Sequence, residues 1–248
     1  MVVLKTRNEL EIMRVAGKIS AKALRLAGEM VRPGISTAQI NKEIHRFIRS
    51  QGATPSFLGY GGFPASVCIS VNNAVIHGIP NGRPIKPGDI VSIDVGAKYK
   101  GYNADNAATF AAGEIPDKVR ALMEATRQSL YKGIDAAVVG NRVGDIGHAV
   151  QSFIQPLGYG IVHEYVGHGV GKVMHEEPDI PNVAKPRTGP RLAAGMTLAI
   201  EPMINLGSGD VKTLSDGWTV LTSDGSLSAH YEHTVVVTEN GPVILTVE

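Results

Sequence analysis

Hydrophobic and polar positions divide the chain into blocks of two periods. Leu10, Met13, Ile19, Ala23 and Leu26 share one helical face, and Thr6 followed by Glu9 is a capping-box start. A second helix opens at Ser36 with Gln39 three residues on, carries Ile40, Ile44, Phe47 and Ile48, and stops at Gly52. Short β-like runs follow: SVCISV, DIVSIDVG and NAATFAAG. The helical period returns over 116–137 and 143–157, and the chain closes on IVHEYV, MTLAIEPM, GWTVLT and HTVVVT. Helices, strands, helices, strands is the order of an α+β protein.

That order points to a duplication. Gly34, Ile40, Ile44, Phe47, Ile48 and Gly52 sit 106 positions before Gly140, Ile146, Val150, Phe153, Ile154 and Gly158. PGDIVSID matches AGMTLAIE, each an apolar strand with a carboxylate six residues after a glycine, Asp94 after Gly88 and Glu201 after Gly195. VIHGIP matches VMHEEP, which places His77 and His175 each three residues before a proline. The expectation is a single domain over 1–248, built from two similar α/β halves of roughly 1–110 and 111–248, with a site where the halves meet.

Composition narrows the function classes. A net charge of +1 without a charged block argues against a nucleic-acid-binding surface as the main business. The N-terminus lacks the apolar stretch of a signal peptide, and no apolar run approaches the ~18 residues of a membrane span. Cys68 is the single cysteine, so no intrachain disulfide forms, and a reducing cytoplasm is the expected home.

The chemistry lies in carboxylates set among apolar strands. Asp94 and Asp105 flank a turn at 98–101 and, in a hairpin, lie nearly opposite each other on one face. Glu201 sits inside TLAIEPMI, and Glu232 opens a strongly β-like strand. Four buried negative charges require positive charge, and no lysine or arginine lies within three residues of any of the four in sequence. Divalent cations are the economical solution, with a coordinated water activated for hydrolysis near neutral pH. The stretch EYVGHGVGKVMHEEP adds His168 and His175, but HEEPD is no zinc-binding helix, because proline stands where the helix must continue.

Taken together, VCISVNNAVIHGIP, GDIVSIDVG with Asp105 eleven residues after Asp94, EYVGHGVGKVMHEEP, GMTLAIEPMI, DGWTV and YEHTVVV closely resemble the type I methionine aminopeptidases, in order and across essentially the whole chain. The resemblance implies the pita-bread fold, with pseudo-twofold related halves around a central antiparallel sheet. It implies two divalent ions (Co, Mn, Fe or Zn) held by Asp94, Asp105, His168, Glu201 and Glu232, with Asp105 and Glu232 bridging. Glu201 becomes the proton acceptor for a metal-bridged water that attacks the first peptide bond. His77 and His175 contact the substrate and the developing tetrahedral centre. The methionine pocket maps onto Phe57, Tyr60, Phe63, Cys68, Met174 and Trp218, whose aromatic and sulfur groups suit a thioether. Glu176 and Glu177 are left as surface or supporting residues.

Asn106 stands where relatives carry Thr or Ser. Phe57, Phe63 and Met174 depart from the Cys, Tyr and Phe of some relatives. A structural Na or K ion around Asn72, Ala74 and Ser228 is a weaker implication. The implied activity is removal of the initiator methionine from nascent chains whose second residue is small. The implied setting is a cytoplasmic monomer in transient contact with the ribosome and with no membrane partner. The alternatives are a proline-specific aminopeptidase or dipeptidase of the same fold, or a binding module that has lost catalysis. His45 and His148 take surface or half-buried places on their helices, while His163, His230 and His233 lie near the motifs; His233 either supports Glu232 or, in a regular strand, points to the opposite face.

Overall fold

A computed structural model describes residues 2–248. Helix α1 (Arg7–Met30) starts on the expected capping box. The Thr6 hydroxyl accepts from Glu9 N, and the Glu9 carboxylate accepts from Thr6 N. Helix α2 (Thr37–Ser50) repeats the device with Ser36 and Gln39. The buried face of α1 is built largely of small residues, Ala16, Gly17, Ser20, Ala23 and Ala27, so its backbone closes onto the sheet. Its buried large side chains are Met13, Ile19 and Leu24, whereas Leu10 and Leu26 are only half-buried.

Strands β1 (Thr54–Pro55), β2 (Cys68–Val71), β3 (Ala74–Ile76), β4 (Ile90–Tyr99) and β5 (Tyr102–Ala111) complete the first half. The second half opens with α3 (Asp117–Asp135) and α4 (Val143–Ile154). Strands β6 (Gly160–Ile161), β7 (Gly167–Gly169), β8 (Glu176–Ile180), β9 (Thr197–Ile200) and β10 (Met203–Asn205) follow. The last five are β11 (Val211–Thr213), β12 (Val220–Thr222), β13 (Ser228–His230), β14 (Glu232–Thr238) and β15 (Gly241–Ile244). Nine strands form one sheet in the order β1-β4-β5-β14-β9-β7-β8, with β2 on β4 and β15 on β14. Strand β14 joins the halves: Glu232 faces Ala107 of β5, and His233 faces Ile200 of β9.

The helix pairs cover one face of this sheet. Ile40, Ile44 and Ile48 of α2 pack with Ile19 and Ala23 of α1 against Val91, Ile93, Val95 and Ala97 of β4. Leu130 and Ile134 of α3 and Ile146 of α4 pack against Leu198, Ile200, Val235 and Val237. Side chains alternate along a strand. With odd-numbered residues of β4 on the helices, Asp94 points to the other face. The same parity on β14 sends His233 toward α3, where its ring lies 6.0 Å from that of Tyr131, and sends Glu232 the opposite way.

Four boundaries differ from the sequence expectation, each for a local reason. The β4–β5 turn is only Lys100-Gly101, both at positive φ (45° and 87°), the geometry of a tight two-residue hairpin. Asp105 therefore pairs with Gly96 and Asp94 with Ala107, which makes the two acids diagonal neighbours on one face. Helix α4 ends at Ile154, because Pro156 has no N–H to donate and the chain tightens into a 3-10 turn over Gln155–Leu157. IVHEYV is not one strand: 162–166 leave the ladder and carry Tyr165 outward between β6 and β7. GWTVLT is a strand only from Val220, because Asp216 Oδ1 accepts from both Trp218 N and Thr219 N (2.8 Å each) and folds 216–219 into a turn. No helix among the described residues is long and apolar enough to cross a membrane.

Candidate active site

The face opposite the helices carries a cavity of about 110 Å³ lined by twelve of the thirteen expected site residues. The thirteenth, Met174, packs in the same apolar cluster as Phe57, Phe63 and Cys68. A larger groove of about 850 Å³ lies between 69–89 and 214–221 and contains none of the site carboxylates.

Asp94 comes from the middle of β4, Asp105 from β5, Glu201 from just beyond β9 and Glu232 from the start of β14. Asp105 and Glu232 are 3% and 2% exposed, and Asp94 Oδ1, Asp105 Oδ1 and Glu232 Oε1 are buried without a hydrogen-bond partner. Burial pushes the Asp94 carboxyl up to about 7 and Glu201 up to about 8. Burial and then the neighbouring carboxylates hold Asp105 and Glu232 well above the usual range. The cluster cannot ionise fully at neutral pH by itself. Burying unpaired carboxylates is among the most unfavourable arrangements in a protein interior, unless a cation joins them.

His168 matches this cluster. Its Nδ1 lies 2.8 Å from Gly169 O, and a carbonyl can only accept, so Nδ1 carries the proton. Burial and then His175 lower its pKa to about 3, so the ring is neutral and Nε2 presents a lone pair. That lone pair points at Asp105 Oδ2 (3.8 Å) and Glu201 Oε1 (3.7 Å). Acceptor facing acceptor is repulsive, and a shared cation removes the repulsion. One ligand atom each from Asp105, His168 and Glu232 lie within 4.8 Å of one another. The donor set therefore fits divalent metal, and the backbone hydrogen bond on the far ring nitrogen is how metal-binding histidines are commonly held.

The other two expected histidines flank the carboxylates. His77 follows β3 in the left-handed region (φ 57°), strained for a non-glycine residue. Gly78 after it passes so close to β2 that a Cβ would lie 2.3 Å from Ile69 O. Burial, then His230 and His175, lower His77 to about 4, and burial lowers His175, so both rings are neutral near pH 7. The ring of His175 lies 4.1 Å from that of His168, and its Nδ1 is 2.8 Å from the Tyr60 hydroxyl.

Phe57, Phe63, Cys68 and Met174 form the apolar part of the site, with Ile79 and Trp218 against them. Trp218 meets Phe63 edge-on at 5.1 Å and stands edge-on to His77 at 6.3 Å. Burial, then the carboxylates, push the Cys68 thiol well above its ordinary value, so it lines the pocket as a thiol.

Residues 11–239 match metallopeptidase family M24, and a methionine aminopeptidase of Clostridium perfringens is 52% identical over 246 residues, 99% of each chain. The chain belongs to metallopeptidase family M24, among its methionine aminopeptidases. The crystal structure of methionine aminopeptidase from Rickettsia prowazekii superposes with a TM-score of 0.98 at 42% identity, covering 100% of both chains. A prolidase from Pyrococcus furiosus superposes at 0.82 with 28% identity, over 99% of this chain and 66% of that one. The architecture is the pita-bread fold of these metallopeptidases.

Three features of this M24 site escaped the sequence reading. His230 is 1% exposed, and its Nε2, without a hydrogen-bond partner, is 3.5 Å from Glu201 Oε2. It lies two residues before Glu232, a spacing that puts it on the site face of a continuous strand. Tyr165 stands edge-on to His77 at 5.8 Å, placed there by the loop read as strand. Glu176, expected as a surface or supporting residue, is of the supporting kind, and the partner it meets, Lys5, is what the sequence did not suggest: the two side chains are 12% and 3% exposed. Asn106, by contrast, faces α1, where its Oδ1 accepts from Ser20 Oγ at 2.7 Å, away from the carboxylates.

Proposed function

We propose that this enzyme removes the N-terminal methionine from newly made polypeptides with a small second residue. The observation that carries this reading is the His168 lone pair aimed at Asp105 and Glu201, beside an apolar pocket of aromatic rings and sulfur. Asp94, Asp105, His168, Glu201 and Glu232 are the groups that would hold the metal. When bound, divalent cations neutralise the carboxylates, polarise the scissile carbonyl and supply a water nucleophile near neutral pH.

The chain's own residues do the rest. Phe57, Phe63, Cys68, Met174, Tyr60 and Trp218 take the methionine side chain, with S–aromatic contacts of ~0.3–1.5 kcal/mol each. Glu201, its carboxylate kept ionised by the cation it would help to hold, would accept the proton of the attacking water and return it to the leaving amine. His77 and His175 are neutral and serve as N–H donors to the peptide carbonyl as charge develops on its oxygen. Tyr60, on His175 Nδ1, leaves Nε2 of that ring for this task.

Mn, Fe, Co and Zn all suit mixed carboxylate and imidazole ligands. A structural Na or K ion around Asn72, Ala74 and Ser228 belongs to the same reading, as a weaker part of it. Paired backbone angles at Gly34 and Gly140 (φ 91° and 93°) support the two halves as copies of one unit. The expected setting is a monomer acting in the cytoplasm as chains leave the ribosome. Side-by-side hydrolysis of Met-Ala-Ser and Xaa-Pro peptides tests specificity. The methionine peptide should be cleaved and the proline series ignored; faster cleavage of Xaa-Pro would reassign the enzyme to the proline-specific group.

A further inference from the structure

His175 sits at the end of a loop, 170–175, whose tip is exposed at Lys172 and Val173. Its ring meets the Tyr60 hydroxyl at 2.8 Å and lies tilted against the ring of His168 at 4.1 Å. The loop itself is fixed from two sides. From the β5 side, Asn103 N and Nδ2 both donate to Gly171 O, at 2.8 and 2.9 Å. From the other side comes Lys5, in the arm before α1. Its ammonium donates to Glu176 Oε2 at 2.5 Å and to Val3 O at 3.1 Å. The second oxygen, Glu176 Oε1, accepts from Val173 N at 3.2 Å and so closes the turn that bears Met174 and His175.

Among the described residues this pair is unlike the other Lys/Arg–carboxylate pairs. Arg25–Glu29, for example, is 56% exposed on both sides, where an ion pair contributes little. Lys5 and Glu176 have side chains only 3% and 12% exposed. Space around them is full: a Cβ on Gly171 would lie 2.5 Å from both Glu176 Oε1 and Lys5 Cε. The arm is anchored in turn, with Lys5 N donating to Gly195 O at 2.8 Å. Gly195 closes the turn into β9, the strand just before Glu201.

We propose that Lys5 and Glu176 are positioning residues for the reaction: their buried ion pair sets the backbone of the 173–176 turn and so the reach of His175. The proposal rests on the reading of His175 as a substrate contact. A misplacement of ~1 Å in a catalytic group lowers turnover by up to about 10²-fold. Removing one partner leaves a lone buried charge, whereas removing both does not.

The test uses the metal-loaded full chain with Met-Ala-Ser. Lys5→Met, Glu176→Gln and the double variant are made in the wild-type and in the His175→Ala background. In the wild-type background each lowers kcat by about 10- to 100-fold with little change in KM. The double variant keeps a near-wild-type Tm and still loses kcat, and amide exchange over 172–177 accelerates. In the His175→Ala background the same changes lower kcat no further. The proposal is overturned if the double variant stays within about twofold of wild-type kcat, the additivity error for independent sites. It is equally overturned if Lys5→Met acts as strongly without His175 as with it. Undiminished turnover in His175→Ala alone would instead remove the reading of His175, and the proposal with it.

Discussion

At the residue scale the site is a set of buried groups that are individually unfavourable. Asp94, Asp105, Glu201 and Glu232 crowd together with orphaned oxygens, and a neutral His168 faces two of them. Substituting one ligand should therefore separate charge from chemistry. Glu201→Gln keeps the shape and one acceptor oxygen but cannot take a proton. Its kcat should fall by ~10²–10⁴-fold, with part of the metal retained on elemental analysis. His77→Ala should lose ~10²–10³-fold with metal content unchanged, because His77 touches none of the ligands in the arrangement described. Equal loss of metal and activity in His77→Ala would count against its assignment.

The four carboxylates were legible in the sequence because acids inside apolar strands have few explanations. His77 and His175 were legible because their motifs recur across the two halves. His230 was not, because the β-like run in the sequence opens at Glu232, two residues after it. The folded chain carries strand over Ser228–His230 as well, with only Tyr231 between it and β14. Lys5 and Glu176, 171 residues apart, share no pattern at all.

At the element scale, periodicity and caps located the four helices to within a few residues, since both signals are local. Strand ends were less legible, because tertiary contacts set them: a side-chain cap at Asp216 shortens one run, and an outward loop at Tyr165 splits another. The close fit of α1 was also invisible in its apolar pattern. A Cβ on Gly17 would lie 2.1 Å from Leu245 O, where the chain leaves β15. Gly17→Ala gains ~1 kcal/mol of helix propensity, but the methyl meets backbone and cannot be relieved by a rotamer change. Overpacking of this kind costs ~1–3 kcal/mol, so urea midpoints should fall. A raised midpoint would mean that α1 stands further from the sheet than described.

At the scale of the whole molecule, the unpaired site makes the metal-free protein sensitive to pH. Asp94 and Glu201 titrate near 7 and 8 in the folded chain, Asp105 and Glu232 well above the carboxylate range. Raised folded values mean stability that is present below the unfolded pKa of ~4 and lost as pH rises through the folded values. His77, His168, His230 and His233 have the opposite sign, with folded values of about 4, 3, 4 and 4, so they lose stability as pH falls below ~6.5. The two sets oppose each other between about pH 4 and 6.5, and only the carboxylates act above it. The Tm of metal-free protein should therefore fall from pH 6.5 to 8.5 in thermal melts. Added Mn should raise Tm more at the higher pH, because metal replaces protons there. A metal-free Tm that climbs over this window would contradict the burial of the cluster.

The central claim is that metal held by Asp94, Asp105, His168, Glu201 and Glu232 is what makes this site a peptidase for N-terminal methionine. Hydrolysis of Met-Gly-Met by protein stripped of metal, followed by titration with Mn, Co or Fe and parallel elemental analysis, tests it most directly. Activity should vanish on chelation and return in proportion to metal bound, up to two ions per chain. Full activity in a preparation shown to contain no metal would contradict the account.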